Sequence, residues 1–333
     1  MTPVEALERV VHCLDRAHES GFKTKAFTRA LDVARSTSAH ELAQRAASGT
    51  LTELDGIGSS SATVITQALR GDTAYLDDLE ATTAVPITAE GARYRSALRG
   101  DLHLHSTWSD GGAPPEAMAR MAMSLGHEYM VLTDHSPRLT IAHGLSVERL
   151  QQQLALVADL NERFAPFRIL TGIEVDILED GSLDHADEVL SQLDVVVASV
   201  HSKLRMPGPE MTERMVRAVR NPHVDILGHC TGRLIDKRDP SAFDPAVVFA
   251  ACVESRTAVE INCRPERLDP PRELLRAAIH LGCWFSIDSD AHSTGQLEWQ
   301  PLGCDRAAET GVPLHRVINS LSASELLRWV AGE

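Results

Sequence analysis

At 333 residues the chain has room for one β/α barrel, which takes about 250 residues, and a small additional module. Its 43% hydrophobic and 24% charged residues suit a soluble protein. No apolar run reaches the ~20 residues of a membrane span, and the start MTPVEALERV lacks the layout of a secretory signal, so a cytoplasmic protein with no membrane partner is expected. A net charge of −15, with 8 Lys+Arg against 13 Asp+Glu in residues 1–90, excludes a general polyanion binder, whose affinity would rest on basic side chains.

The first 80 residues read as short helices: Val4–Ser20, Lys25–Ala34, Ala39–Ser48, Ser60–Leu69 and Thr73–Leu79. Between the third and fourth lies Leu54-Asp55-Gly56-Ile57-Gly58, a hairpin whose glycines permit a tight turn before a helix. Such a turn can offer backbone N–H groups to a phosphate, or be only a helix-turn-helix joint. Residues 81–96 hold few large apolar side chains and are expected to be a linker.

From residue 97 onward strand and helix signals alternate. Strands are expected at Leu98–His105, Met130–Thr133, Arg168–Val175, Val195–Ser199, Asp225–Gly228, Ala258–Asn262 and Trp284–Ile287, with helices between them. Seven strands with helical crossovers predict an α/β fold, a parallel seven-stranded barrel.

Nine potential metal ligands stand where apolar runs stop: His103, His105, Asp110, His135, Glu174, His201, His229, Asp290 and His292. In a parallel barrel the C-terminal ends of the strands form one face, the usual address of an active site. A single buried histidine would read as a hydrogen-bonded core residue, whereas this recurrence points to a metallohydrolase. Imidazoles and carboxylates suit zinc, manganese and iron, and nine ligands exceed one ion's shell, so two to three divalent metals are expected. The six cysteines form no C-x-x-C pair and read as reduced thiols.

The words HLH at 103–105, SDG at 109–111, TDHS at 133–136, GIEVD at 172–176, SVHS at 199–202, GH at 228–229 and SDAH at 289–292 resemble the PHP superfamily, the polymerase and histidinol phosphatase domains. The resemblance covers about residues 97–333 and implies a distorted (β/α)7 barrel preceded by a small all-α helix-hairpin-helix domain at 1–80. EINCRPERLD at 260–269 is similar to the PHP domain of bacterial family X DNA polymerases. GFKTKAFTRA at 21–30 and the glycine hairpin are similar to their 8-kDa domain. The polymerase fingers, palm and thumb are missing between the two segments, and Ser60 and Val64 stand after the hairpin where that family commonly carries lysines.

The resemblance implies one ion held by His103, His105, Glu174 and Asp290, a second by Glu174, His201 and His229, and a third by Asp110, His135 and His292, with Glu174 bridging the first two. It also implies in-line attack of water on a phosphate ester, with Glu174 and Asp290 central. Arg233, Arg264, Arg267 and Lys203 follow the strand ends closely enough to reach a phosphate, or to pair with rim carboxylates. Asp134 and Asp176 read as supporting or capping groups. Gly56, Gly58, Lys23 and Lys25 are the candidate DNA contacts. Three functions compete: a metal-dependent phosphoesterase on DNA ends (3′–5′ exonuclease or 3′-phosphatase), a small-molecule phosphomonoesterase, and a noncatalytic DNA-end binding protein.

Overall fold

The computed structural model describes residues 1–19 and 21–333, in two compact units, 1–85 and 86–333. In the first, α1 (Pro3–Arg16), α2 (Gly21–Ser36), α3 (Ala39–Ser48), α4 (Ser59–Arg70) and α5 (Ala74–Thr83) surround a core that includes Leu7, Val10, Leu14, Phe27, Leu31 and Ile65. Thr2 and Glu5 close a capping box at the start of α1, and Ser38 caps α3. The helix expected over Val4–Ser20 ends at Arg16, and Ser20 lies outside the described residues.

The expected linker is largely helical instead. α5 runs to Thr83, and α6 (Ala89–Ala97) belongs to the second unit. This segment holds few large apolar residues because α6 approaches α13 (Gln300–Thr310) closely through Gly91, where a Cβ would come within 1.9 Å of Asp305 Oδ1. The same Asp305 oxygen accepts from the Thr88 hydroxyl at 2.6 Å.

The second unit continues with β1 (Gly100–Asp101), α7 (Pro115–Ser124), β2 (Tyr129–Leu132), α8 (Val147–Phe164), β3 (Arg168–Asp176), α9 (Asp187–Leu190), β4 (Val195–Ser199) and α10 (Gly208–Val219). There follow β5 (Ile226–Leu227), α11 (Pro245–Ser255), β6 (Ala258–Asn262), α12 (Arg272–Leu281), β7 (Phe285–Asp288), α13 and α14 (Ala323–Val330). The seven strands are parallel and neighbours in chain order. Asp290 N–H donates to His103 O at 2.9 Å and His105 N–H to Ala291 O at 2.8 Å, which joins the last strand to the first and nearly closes the barrel. Met130 and Leu132 pack outward on α7 and α8, whereas Tyr129, Val131, Val195, Val197 and Ile226 cluster with Leu326 and Trp329 of α14. No helix among the described residues is long and apolar enough to cross a membrane.

The strand expected over Leu98–His105 is regular for only two residues. Side chains take part of its ladder: Leu102 N–H donates to Asp288 Oδ1 at 2.9 Å and Leu104 N–H to Thr133 Oγ1 at 2.9 Å, beside the backbone bonds of His103, Leu104 and His105. His103 and His105, two residues apart on this extended stretch, share the face that looks into the site.

Just before β5, Asp225 is buried and accepts from Val196 N–H at 2.8 Å. Burial raises its carboxyl from 3.8 to about 7, against a smaller opposing effect of that hydrogen bond. The folded state therefore holds a proton that the unfolded chain loses above pH 3.8, so this group's contribution falls as pH rises from about 4 through 7. Asp225→Asn is expected to raise the Tm by about 2–4 °C at pH 8, for roughly 1 kcal/mol, with little change at pH 4. Thermal unfolding of both proteins across this range checks it, and an equal shift at both pH values would contradict it.

Candidate metal centre

All nine sequence-predicted ligands meet at the C-terminal mouth of the barrel. His103 and His105 follow β1, Asp110 sits on the next loop, His135 follows β2, Glu174 lies in β3, and His201, His229, Asp290 and His292 follow β4, β5 and β7. Among the described residues, three groups bring their ligand atoms within 4.8 Å of one another: His105, Asp110, His135 and His292; His103, His105 and Asp290; and His135, Glu174 and His201.

Glu174 is the hub. Its Oε1 lies 2.9 Å from His229 Nε2 and 3.3 Å from His201 Nε2, and its Oε2 lies 2.8 Å from His135 Nδ1, 3.4 Å from His103 Nε2 and 3.5 Å from His105 Nε2. Despite that crowding, Glu174 Oε2 and His135 Nδ1 have no hydrogen-bond partner. Two ligands of one tetrahedral ion at about 2.1 Å sit roughly 3.4 Å apart, so these spacings fit atoms that share a cation. Buried lone pairs that face one another are costly unless a cation lies between them. The donor set thus fits divalent metals.

The electrostatics keep the two central carboxylates ionised. Burial works to raise the Glu174 carboxyl, yet His201, His103 and His135 outweigh it and hold the group well below the usual range. Asp290 is likewise kept ionised against burial by Arg264 and His103. His105 is held far below the usual imidazole range by burial and then by His292 and His135, which favours the neutral form that binds metals.

Supporting groups fix the ligands. Glu260, buried in β6, places Oε1 2.6 Å from His103 Nδ1 and accepts from His229 N–H through Oε2 at 2.5 Å. Asn262 donates to both Glu260 and Asp290. Asp176 Oδ1 lies 3.1 Å from His201 Nδ1. Buried Asp134 accepts from the N–H and hydroxyl of Ser106, the N–H and hydroxyl of Ser109, and Gln153, and so holds the loop that presents Asp110. A carboxylate or carbonyl on a ligand's far side sets its tautomer and direction. Sequence reasoning passed over Glu260, although a glutamate inside the apolar run AVEIN was a signal, since such a strand is buried on both faces.

The rim arginines divide. Arg264 grips Glu266 Oε1 and lies 2.9 Å from His292 Nδ1 through Nη1, and Arg267 Nε lies 3.4 Å from Asp290 Oδ2. Arg233 is not brought to the cluster by its bonds, because its guanidinium donates to the carbonyls of Arg267 and Leu268 and braces their loop. In the first unit, Lys23, Lys25, Gly56 and Gly58 line one cleft of about 650 Å³ together with Phe22 and Arg29. Gly56 has φ +102°, and a Cβ there would press on Arg29 and Val33 at 3.0 Å. Gly58 N–H donates to Ser61 Oγ at 2.9 Å, which makes this glycine a source of clearance more than of an open donor.

A sequence profile of the PHP domain matches residues 101–264, the stretch that carries seven of the nine ligands. The chain carries a PHP domain. A DNA polymerase/3′-5′ exonuclease PolX of Bacillus subtilis (strain 168) is 40% identical over 229 residues, 69% of this chain and 40% of that protein, so the chain matches well under half of this relative's length. A probable phosphatase of Thermoanaerobacter sp. (strain X514) is 28% identical over 198 residues, 58% of this chain and 78% of that one. Histidinol phosphate phosphatase of Lactococcus lactis subsp. lactis, solved with zinc, L-histidinol and phosphate, overlays with a TM-score of 0.47 at 18% identity, covering 64% of this chain and 94% of that one. The PHP domain is therefore related to proteins named as phosphatases, and it groups side chains that can hold metal ions.

Proposed function

We propose that the protein is a metal-dependent phosphoesterase that acts on DNA ends, as a 3′–5′ exonuclease or 3′-phosphatase. The observation that carries phosphoester hydrolysis is the convergence of five imidazoles on Glu174, whose buried Oε2 is left without a hydrogen bond. DNA as the substrate is favoured by the 40% identity to a protein named for 3′–5′ exonuclease activity. Divalent metal at such a site supplies an ionised water near neutral pH and neutralises the phosphate. The chain's own residues then do the positioning. Glu260 orients His103 and His229, Asp176 orients His201, and Asp134 holds the Asp110 loop. Arg264 is fixed beside the centre, with Nη1 on the Asp290 carbonyl and 2.9 Å from His292 Nδ1 and its other nitrogens on Glu266, and its positive charge there suits a phosphate.

A second reading, a small-molecule phosphomonoesterase, is favoured by relatives named as probable phosphatases, of which that in Thermoanaerobacter is matched over 78% of its length. Turnover of a 3′-recessed DNA duplex and of histidinol phosphate by one manganese-loaded preparation separates the two. Residues 1–85 sharpen the test. Their removal, leaving 86–333, is expected to raise KM on DNA about tenfold, or ~1.4 kcal/mol, with a small phosphate ester nearly unaffected. If the full chain hydrolyses the small ester well and never cleaves DNA, the second reading replaces the first.

A further inference from the structure

Charge is unevenly shared around the mouth of this acidic barrel. The seven loops that leave the C-terminal ends of the strands hold eight arginines and lysines, and seven of these lie on the three loops after β4, β5 and β6. Those three loops (200–207, 228–244 and 263–271) carry a net charge of +2, whereas the four after β1, β2, β3 and β7 carry −6.

The three loops are one surface. Ser241 Oγ donates to Leu204 O at 2.9 Å and so ties the first loop to the second, and a Cβ on Gly232 would meet Leu204 Cδ2 at 2.6 Å. Ile235 N–H donates to Glu266 O, and Arg233 donates to Arg267 O at 2.7 Å, which ties the second to the third. Lys203, Arg205 and Lys237 are exposed on this surface and have no ion-pair partner among the described residues. Lys203 is held at φ 54°, a left-handed conformation rare for lysine, which fixes the direction in which its side chain leaves the loop. Asp236, Asp239 and Asp244 are also exposed on the second loop and temper the field, and the three loops taken together still carry +2.

We propose that the β4–β6 loops form a shelf that binds the backbone phosphates of a single DNA strand leading away from the hydrolysed end. This rests on the DNA-end reading of the metal centre and adds the direction in which the strand runs. Parent strands about 4.8 Å apart make the shelf roughly 10 Å wide, broader than one phosphate, so a polyanion uses it better than a small ester. Glu179 and Asp180, exposed on the loop after β3, repel a strand laid over that loop. Phosphate contacts of this kind set register without reading sequence.

The test compares the full-length protein with the double variant Arg205→Gln/Lys237→Gln, using a short labelled single-stranded oligodeoxynucleotide and the p-nitrophenyl ester of thymidine 5′-monophosphate. The variant is expected to bind the oligonucleotide about tenfold more weakly. The slope of log affinity against log salt should flatten by about 1.4, at ~0.7 for each lost phosphate contact. The ratio of kcat/KM on the oligonucleotide to that on the ester should fall about tenfold, and Arg205→Lys/Lys237→Arg should restore it. Arg138→Gln, on the opposite side of the mouth, should leave the ratio alone. A double variant with wild-type affinity, slope and ratio overturns the shelf while the DNA-end reading stands, and so does an Arg138→Gln effect of equal size. A wild-type protein that hydrolyses histidinol phosphate but neither binds nor cleaves the oligonucleotide overturns both.

Discussion

Glu174→Ala is expected to lower phosphoester turnover by about 10³-fold or more, equivalent to ~4 kcal/mol in the barrier, and to release two metal ions together. The reason is geometric. This carboxylate lies within 3.5 Å of five imidazoles, through Oε1 to His201 and His229 and through Oε2 to His103, His105 and His135. Deleting it removes a negative charge from the middle of the donor set as well as a ligand. Asp110→Ala should behave differently, because Asp110 does not touch Glu174 and has its nearest described imidazoles, His135 and His292, at 3.6 and 3.4 Å on the more exposed side of the cluster. Metal counting on both variants, paired with initial rates, makes the comparison. Equal metal loss in the two would remove the bridging role from Glu174.

Chelation should have an effect of the same order on turnover and a separate effect on stability. The protein is expected to carry two to three divalent ions, of zinc, manganese or iron, and their removal should abolish hydrolysis and lower the Tm. Ions that bind only the folded chain stabilise it by mass action, by about 2.7 kcal/mol for one site at a hundredfold excess over Kd. For a unit of this size that is roughly 5–10 °C. Calorimetry of chelated and reconstituted protein reads the stability effect without reference to activity. Less than one ion per chain after reconstitution would count against the whole metal assignment.

The barrel was legible in the sequence because its strands are short apolar runs at regular intervals, and most of the candidate ligands because they stand just beyond one of them, with Glu174 inside β3 and Asp110 farther along a loop. His201, His229 and Asp290 all follow this rule. What escaped was information stored in exchanges of hydrogen bonds. β1 was overestimated because the apolar pattern around Leu102 and Leu104 reads as strand, while the Asp288 and Thr133 side chains take two of the backbone bonds that a strand would make. α6 was taken for a linker because close packing through Gly91 needs no large apolar side chain. Arg233 was placed near a phosphate by its distance along the chain, which does not reveal that two backbone carbonyls already hold its guanidinium. Asp134 and Asp176 were read as supporting groups, and they hold the Asp110 loop and His201.

Glu260 has a consequence for anyone who would move this centre to another scaffold. It holds His103 with one oxygen and the backbone of His229 with the other, so β6, which contributes none of the nine ligands, sets the spacing between two of them. A graft that copied the nine side chains onto a foreign barrel, and left its sixth strand as found, would reproduce the inventory and lose the alignment. The smallest transplantable unit is the ring of strand ends together with the glutamate of β6.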